Sequence, residues 1–250
     1  MSRRASRHFS DPKYVRMFGY IVTLAMHTLN AIYMVNIYKD EALKDPHVGY
    51  FWKYQFRMLT FWNTITQCFY AILGLSCDIL SLSNEGNDTS LLKTLRGGRD
   101  LLFSAILFPI SLGVCILFWS LYAYSPNILM PLTVQKLLPW ISNHVIHTFI
   151  VPVVLWEAVC LPRKLPASHL LNLTVLNVHN VTFIAVLFLT LFESGQFPYP
   201  LLNMIYGTPC FIMFLVSCFI LHNLSYKLQW YITDFIYGNR EDGEEIKKVR

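Results

Sequence analysis

The stretch W-I-S-N-H-V-I-H-T, from Trp140 to Thr148, places polar side chains inside an apolar run that extends from Leu137 to Leu161. A run of that length is long enough for a helix to cross a lipid bilayer. Ionisable side chains at membrane depth are costly, so each one needs a hydrogen-bonding partner or a function. The stretch therefore predicts a membrane-spanning helix that carries a polar site.

The composition of the whole chain agrees with a membrane protein. Of the 250 residues, 54% are hydrophobic and only 14% are charged, whereas a soluble domain carries about 25% charged residues. The net charge of +5 lies in tails and loops, which favours contact with anionic lipid headgroups rather than nucleic acid. The six cysteines form no C-x-x-C pair, and we interpret them as buried apolar side chains. No cofactor or metal is expected from these features.

Charged or turn-forming segments separate six apolar runs, which predict an all-α, polytopic membrane protein with a six-helix transmembrane bundle. Gly97 and Gly98 predict a break before the third span. The predicted spans are Met17–Tyr38, Trp52–Leu80, Leu101–Tyr124, Leu137–Leu161, His169–Phe192 and Leu201–Trp230. One transmembrane domain at 17–232 thus lies between a basic tail at 1–16 and a charged tail at 233–250.

The basic residues predict the orientation of the bundle. Lysine and arginine concentrate in both tails and in the second and fourth loops. The positive-inside rule then places both termini in the cytosol, as an even number of spans requires. The final residues K-K-V-R, at 247–250, are similar to a di-lysine retrieval signal. They favour the endoplasmic reticulum membrane, with the cell membrane as the alternative.

Polar side chains recur at helical spacing in several spans. In the fourth span, Asn143, His144 and His147 are three or four residues apart and share one side of a helix. The second span carries a similar row: Arg57, Thr60, Asn63, Thr64 and Gln67. Hydrogen bonds between helices explain one such row, but several rows that face inward favour a polar cavity inside the bundle.

Three functions are compatible with these rows. Thr60 and His147 lie at comparable depth in their spans, which suits a hydroxyl nucleophile and a histidine base, although the chain lacks the G-x-S-x-G of α/β-hydrolases. A metal-dependent hydrolase would use His144 and His147 as ligands, and it needs a third ligand such as His27 or His179. The third reading is a passive lipid or sterol pocket, or a structural bundle. Spacing alone favours this passive reading.

Several short motifs carry a resemblance to a known family. The motifs are M-L-T-F at 58–61, C-D at 77–78, R-D-L-L-F-x-x-x-x-F-P at 99–109, F-W-x-x-Y-A-Y at 118–124, P-W-I-S-N-H-V-I-H-T-x-x-x-P-x-x-L-x-E at 139–157, and E-S-G-x-x-x-Y-P at 193–200. In this order and spacing they resemble the androgen-induced / androgen-dependent transmembrane protein family. The match covers roughly Trp52 to Pro200.

The resemblance implies a chemistry for the predicted bundle. Members of that family are multi-pass threonine hydrolases that cleave fatty acid esters of hydroxy fatty acids. Thr60 matches the family nucleophile and His147 matches the catalytic histidine, so an acyl-threonine intermediate is expected. Asn143 and His144 are then expected to orient His147 or to bind the substrate carboxylate, and either of them or Asn63 could stabilise the oxyanion. Position near Thr60, rather than the resemblance, makes Arg57 a candidate to hold a carboxylate. The expected substrate is a lipid ester that enters from the bilayer.

Overall fold

The computed structural model describes the backbone of residues 12–39, 44–84 and 89–248, and side chains as far as Tyr237. Most of the tail at 1–16, and the last two residues of the motif at 247–250, lie outside the described residues. Within those ranges the chain is helical and forms no strand. The helices are α1 Pro12–Ile37, α2 Pro46–Tyr54, α3 Leu59–Ser83, α4 Ser90–Leu102, α5 Phe108–Tyr124, α6 Leu132–Leu137, α7 Trp140–His147, α8 Ile150–Cys160, α9 Leu170–Ser194, α10 Pro200–Ile205 and α11 Pro209–Lys248.

Among the residues that the structure describes, six helical segments are long and apolar enough to span a membrane, which confirms the predicted all-α bundle. They are Lys13–Ile37, Leu59–Ser83, Ser90–Tyr124, Trp140–Cys160, Leu170–Ser194 and Pro209–Tyr237. The orientation of the termini and the choice between the endoplasmic reticulum and the cell membrane stay predictions.

The second and the last predicted spans begin well after the positions that the sequence suggested. A 3-10 turn at Gln55–Arg57 and an extended Met58 interrupt the chain, so the second span starts at Leu59 rather than Trp52. The last span starts at Pro209 because α10 is a separate short helix, followed by a left-handed Gly207 with φ of 79°. Glycine adopts that conformation without steric cost.

The predicted break at Gly97 and Gly98 is wrong. Both glycines lie inside α4, and the third span continues through a π-helical turn at Phe103–Leu107 into α5. Pro109 explains the turn, because its nitrogen has no hydrogen to donate and its ring crowds the preceding turn. The amide of Phe108 bonds instead to the carbonyl of Phe103, five residues back.

The distribution of side chains on α3 is that of a membrane helix. Ile65, Phe69 and Ile72 are more than half exposed, whereas Asn63 and Gln67 are only 1% exposed. Apolar side chains on the outside suit lipid, and the polar side chains inside must find partners within the bundle. The inward polar row predicted for this span is therefore present from Thr60 onward.

A network of charged side chains joins α1, α3 and the residues around α8. Arg16 donates to both carboxylate oxygens of Asp78, at 3.0 and 2.6 Å. Arg163 donates to Glu157 at 2.8 Å and to the hydroxyl of Tyr70 at 2.7 Å, and Tyr70 in turn donates to Glu157 at 2.5 Å. Each buried charge thus has an opposite charge within reach, as burial in a bundle requires.

The fourth span is broken where the candidate site lies. Helix α7 ends at His147 and α8 begins at Ile150. Pro152 accounts for the break, since it cannot bond to the carbonyl of Thr148, four residues earlier. The break places His147 in the last turn of a short helix, facing the start of α3.

Candidate active site

Thr60 and His147 come together although 87 positions separate them in the sequence. The Thr60 Oγ1 atom lies 3.2 Å from His147 Nε2, within hydrogen-bonding distance. Thr60 is the second residue of α3, so the positive end of the helix dipole faces the hydroxyl. The positive end of a helix stabilises the alkoxide that forms when such a hydroxyl loses its proton.

Asn143 determines which nitrogen of His147 carries the proton. His147 Nδ1 lies 2.8 Å from Asn143 Oδ1 and 3.1 Å from the Asn143 carbonyl oxygen. Both partners only accept hydrogen bonds, so Nδ1 must be the donor, and Nε2 keeps a lone pair directed at Thr60. The three residues form a Thr-His-Asn arrangement, in which the base is oriented by a third group.

The imidazole of His147 is held in a dry environment. The side chain is 4% exposed, and its ring stacks on Phe118 with centroids 3.4 Å apart and planes inclined by 7°. Stacking on one face and hydrogen bonds at both nitrogens leave the ring little freedom to rotate. A fixed base lowers the entropic cost of proton transfer.

An apolar cavity of about 120 Å³ lies beside Thr60, between α3, α5, α9 and α11. Its wall includes Leu59, Thr60, Phe118 and Tyr199, and most of its other lining side chains are aliphatic or aromatic. Because Thr60 lines this cavity, an acyl chain bound in it would bring its carbonyl carbon close to Thr60.

Tyr199 is a site residue that the sequence argument did not identify. Its hydroxyl accepts a hydrogen bond of 2.9 Å from the backbone amide of Leu59, next to Thr60, and the residue lines the cavity. Burial raises the pKa of the Tyr199 phenol well above its usual value, so the group stays protonated and can donate. The only sequence signal was its place in the Y-P of the motif at 193–200.

Asn63 lies one turn further along α3 than Thr60. Its Oδ1 accepts a hydrogen bond of 2.9 Å from Ser111, which also accepts one from Gln67 at 3.2 Å. The Asn63 Nδ2 group has no partner among the described residues. The residue thus anchors a packed network behind the cavity and does not line the cavity itself.

Two predicted supporting residues point elsewhere. Arg57 lies in the 3-10 turn before α3 and forms an ion pair of 2.6 Å with Glu193. Its role as a carboxylate-binding cation stays a prediction. His144 bonds to Thr148 Oγ1 at 2.9 Å and stacks on Trp119. It therefore supports the packing of α7 against α5, and its part in orienting His147 stays a prediction.

The histidines considered as metal ligands are engaged with other groups. His27 Nε2 donates to Gln67 at 2.8 Å, and the ring of His179 packs edge-on against Trp62. In the part of the chain that the structure describes, no group of three or more His, Cys, Asp and Glu side chains is placed to hold a metal ion.

Fold and site together define a polytopic membrane protein with a buried Thr-His-Asn cluster on an apolar cavity. The profile of the family described as FAR-17a/AIG1-like protein matches residues 15–232. The chain belongs to this family, in agreement with the resemblance seen in its motifs.

Named relatives are similar over most of the chain. The human androgen-dependent TFPI-regulating protein is 31% identical over 186 residues, which cover 72% of this chain and 76% of the relative. The Mesocricetus auratus protein of the same name is 31% identical over 201 residues, 80% of this chain and 82% of the relative. The human androgen-induced gene 1 protein is 28% identical over 201 residues, 79% of this chain and 82% of the relative. No solved structure matches the chain.

Proposed function

We propose that this protein is an intramembrane hydrolase of lipid esters in which Thr60 is the nucleophile and His147 the general base. The observation that carries the proposal is the hydrogen-bonded series from Thr60 Oγ1 to His147 Nε2 and from His147 Nδ1 to Asn143 Oδ1, at 3.2 and 2.8 Å. A threonine hydroxyl is a weak nucleophile until a neighbouring base takes its proton.

The reaction proceeds through an acyl-enzyme. His147 Nε2 takes the Thr60 proton while Oγ1 attacks the ester carbonyl carbon and forms a tetrahedral intermediate. The intermediate collapses, His147 returns the proton to the departing alkoxide, and the alcohol leaves. Water then attacks the acyl-threonine, gives its proton to the same nitrogen and releases the carboxylic acid, and Thr60 recovers its hydrogen.

The Tyr199 hydroxyl is the favoured donor to the oxyanion of the tetrahedral intermediate. It lies on the cavity, is anchored by the Leu59 amide, and keeps a proton to donate. A preorganised donor of this kind stabilises the charge that develops on the carbonyl oxygen. The positive end of the α3 dipole also stabilises this negative charge.

The favoured substrates are fatty acid esters of hydroxy fatty acids. Two features support this class: the resemblance to a family that cleaves such esters, and the apolar lining of the cavity next to Thr60. Such molecules partition into the bilayer, so they reach the cavity from lipid rather than from water.

The test is hydrolysis of these esters by the purified protein, with Thr60→Ala and His147→Ala beside the wild type. Both variants are expected to lose activity by roughly three orders of magnitude or more. Thr64→Ala is the matched control: Thr64 lies one turn along the same helix, bonds only to the Thr60 carbonyl, and should stay active. Full activity of Thr60→Ala would refute the proposal.

The passive and the metal-dependent readings give other outcomes in the same assay. A passive lipid-binding protein would hydrolyse no ester in any variant. A metal-dependent hydrolase would lose activity with a strong chelator and regain it with zinc, whereas the threonine mechanism predicts activity that is indifferent to chelation.

A further inference from the structure

A second pair of polar residues lines the cavity beside Thr60. His222 of α11 and Asn180 of α9 both line it, and their side chains meet through a hydrogen bond of 2.9 Å between His222 Nδ1 and Asn180 Oδ1. The two residues are 3% and 5% exposed. This pair takes no part in the Thr60 mechanism.

Each member of the pair keeps an unused hydrogen-bonding group. Asn180 Oδ1 only accepts, so His222 Nδ1 carries the proton and Nε2 keeps a lone pair. Neither His222 Nε2 nor Asn180 Nδ2 has a partner among the described residues. A buried polar group without a partner is costly, which makes such groups candidates for a ligand.

Gly113 of α5 makes room for the histidine. A Cβ atom at Gly113 would lie 2.2 Å from His222 Cδ2 and 2.4 Å from His222 Nε2. Both distances are too short for a van der Waals contact, so only glycine leaves space for the ring at this position. Gly113 precedes Phe118, which stacks on His147, by five residues of the same helix. At about 1.5 Å per residue, the levels of Gly113 and Phe118 are on the order of 7 Å apart along α5, which sets the spacing between the His222–Asn180 pair and the reacting centre.

The charge of the cavity restricts what the pair can bind. No lysine or arginine is among the described residues that line the cavity, so an ionised group would lack a fixed counter-charge. One free acceptor and one free amide donor instead match a neutral oxygen group that both donates and accepts. A hydroxyl and a protonated carboxyl meet this condition equally.

We propose that His222 and Asn180 bind a hydroxyl or carboxyl group carried by the substrate, on the order of 7 Å from the ester that Thr60 attacks. His222 Nε2 accepts the substrate O–H, and Asn180 Nδ2 donates to its oxygen. The proposal rests on the proposed function and adds a specificity site to it. The pair positions the substrate ester against Thr60 and selects substrate chains that bear an oxygen group at this distance from the ester.

The test compares three synthetic lipid esters of equal chain length, whose acyl chains end in a methyl, a hydroxyl or a carboxyl group. The wild-type protein is expected to prefer one of the two oxygen-bearing esters over the methyl ester by roughly tenfold in kcat/KM, the contribution of a buried hydrogen bond. In His222→Leu and Asn180→Leu the ratio should fall to about one. Gly113→Ala should have the same effect by displacing His222.

Asn177 and Asn223 provide the matched control. They form a hydrogen bond of 3.0 Å between the same two helices but do not line the cavity. Asn177→Leu and Asn223→Leu should keep the wild-type ratio of kcat/KM values. An equal fall of the ratio in these variants would show that the preference depends on helix pairing and not on contact with the ligand.

The ratio is internal to each variant, so a smaller folded fraction does not alter it. A wild-type protein that hydrolyses all three esters equally would overturn this proposal and leave the Thr60 mechanism intact. A wild-type protein that hydrolyses none of them would refute the proposed function itself.

Discussion

Two buried polar regions of the bundle differ in charge and in the space beside them. In the charged network, Arg16 faces Asp78 and Arg163 faces Glu157, and the space beside Glu157 is a cavity of only about 10 Å³. That space holds one water molecule at most. Around Thr60, neutral polar groups border a cavity of about 120 Å³.

The charged network joins helices, and its carboxylates and guanidinium groups neutralise one another where lipid offers no solvation. The Thr60 region contains an imidazole whose lone pair faces the Thr60 hydroxyl, the phenol of Tyr199 and room for a ligand. The proposed function makes the first region structural and the second reactive. Breaking the first region should therefore affect stability, and breaking the second should affect catalysis.

The largest expected effect concerns the charged network. Asp78→Leu leaves the Arg16 guanidinium buried without a counter-charge, and we expect a loss of about 3–5 kcal/mol in the free energy of unfolding. Thermal unfolding of the protein in detergent micelles measures it.

The double variant Arg16→Met with Asp78→Leu is the control for that prediction. It removes both charges, so most of the lost stability should return. A double variant as unstable as Asp78→Leu alone would contradict the assignment of this pair as an ion pair whose charges matter.

The next effect concerns the orientation of His147. Asn143→Leu removes the nearer of the two acceptors of the Nδ1 proton and leaves only the backbone carbonyl at 3.1 Å, so the imidazole is held less firmly in the reactive tautomer. We expect kcat to fall roughly 10²–10³-fold, or about 3–4 kcal/mol, with little change in KM. Steady-state kinetics on a lipid ester measure it, and a variant with normal kcat would remove Asn143 from the mechanism.

A smaller effect is expected at Tyr199. Tyr199→Phe keeps the ring and removes the oxyanion donor, so kcat should fall roughly 10²-fold. Tyr206→Phe removes the hydroxyl of a half-exposed tyrosine outside the cavity wall and should leave kcat unchanged. Equal kinetics of the two variants would assign the oxyanion donor to another group.

The smallest effect is expected at His144. His144→Phe retains the stack on Trp119 and loses the bond to Thr148. A single hydrogen bond of this kind contributes about 1 kcal/mol to stability, and kcat should not change. A loss of activity comparable to that of Asn143→Leu would show that His144 takes part in the chemistry.

The sequence predicted the fold well where periodicity and apolar length decide it. The six spans follow from runs of apolar residues. The depth of Thr60 was counted from Trp52, whereas the helix begins at Leu59 and Thr60 is its second residue. The continuity of α4 through Gly97 and Gly98 was missed, because a local rule takes two glycines as a break. Both glycines are exposed, and the helix is held by its buried residues Leu92 and Arg99.

The site was harder to predict from the sequence than the fold. Residue types and motif resemblance singled out Thr60 and His147, but helical spacing assigned His144 and Asn143 to one side without saying which of them bonds to His147. The roles of Tyr199, Asn180 and His222 depend on how α9, α10 and α11 meet α3 and α5. Spacing within one helix does not contain that information.

Covalent labelling shows whether Thr60 is a nucleophile. An ester-directed fluorophosphonate probe is reacted with the wild type and with His147→Ala, and the modified residue is located by mass spectrometry. We expect modification of Thr60 in the wild type and its loss in His147→Ala, since the hydroxyl then lacks its base. A label on another residue, or equal labelling of Thr60 in both proteins, would rule out the proposed nucleophile.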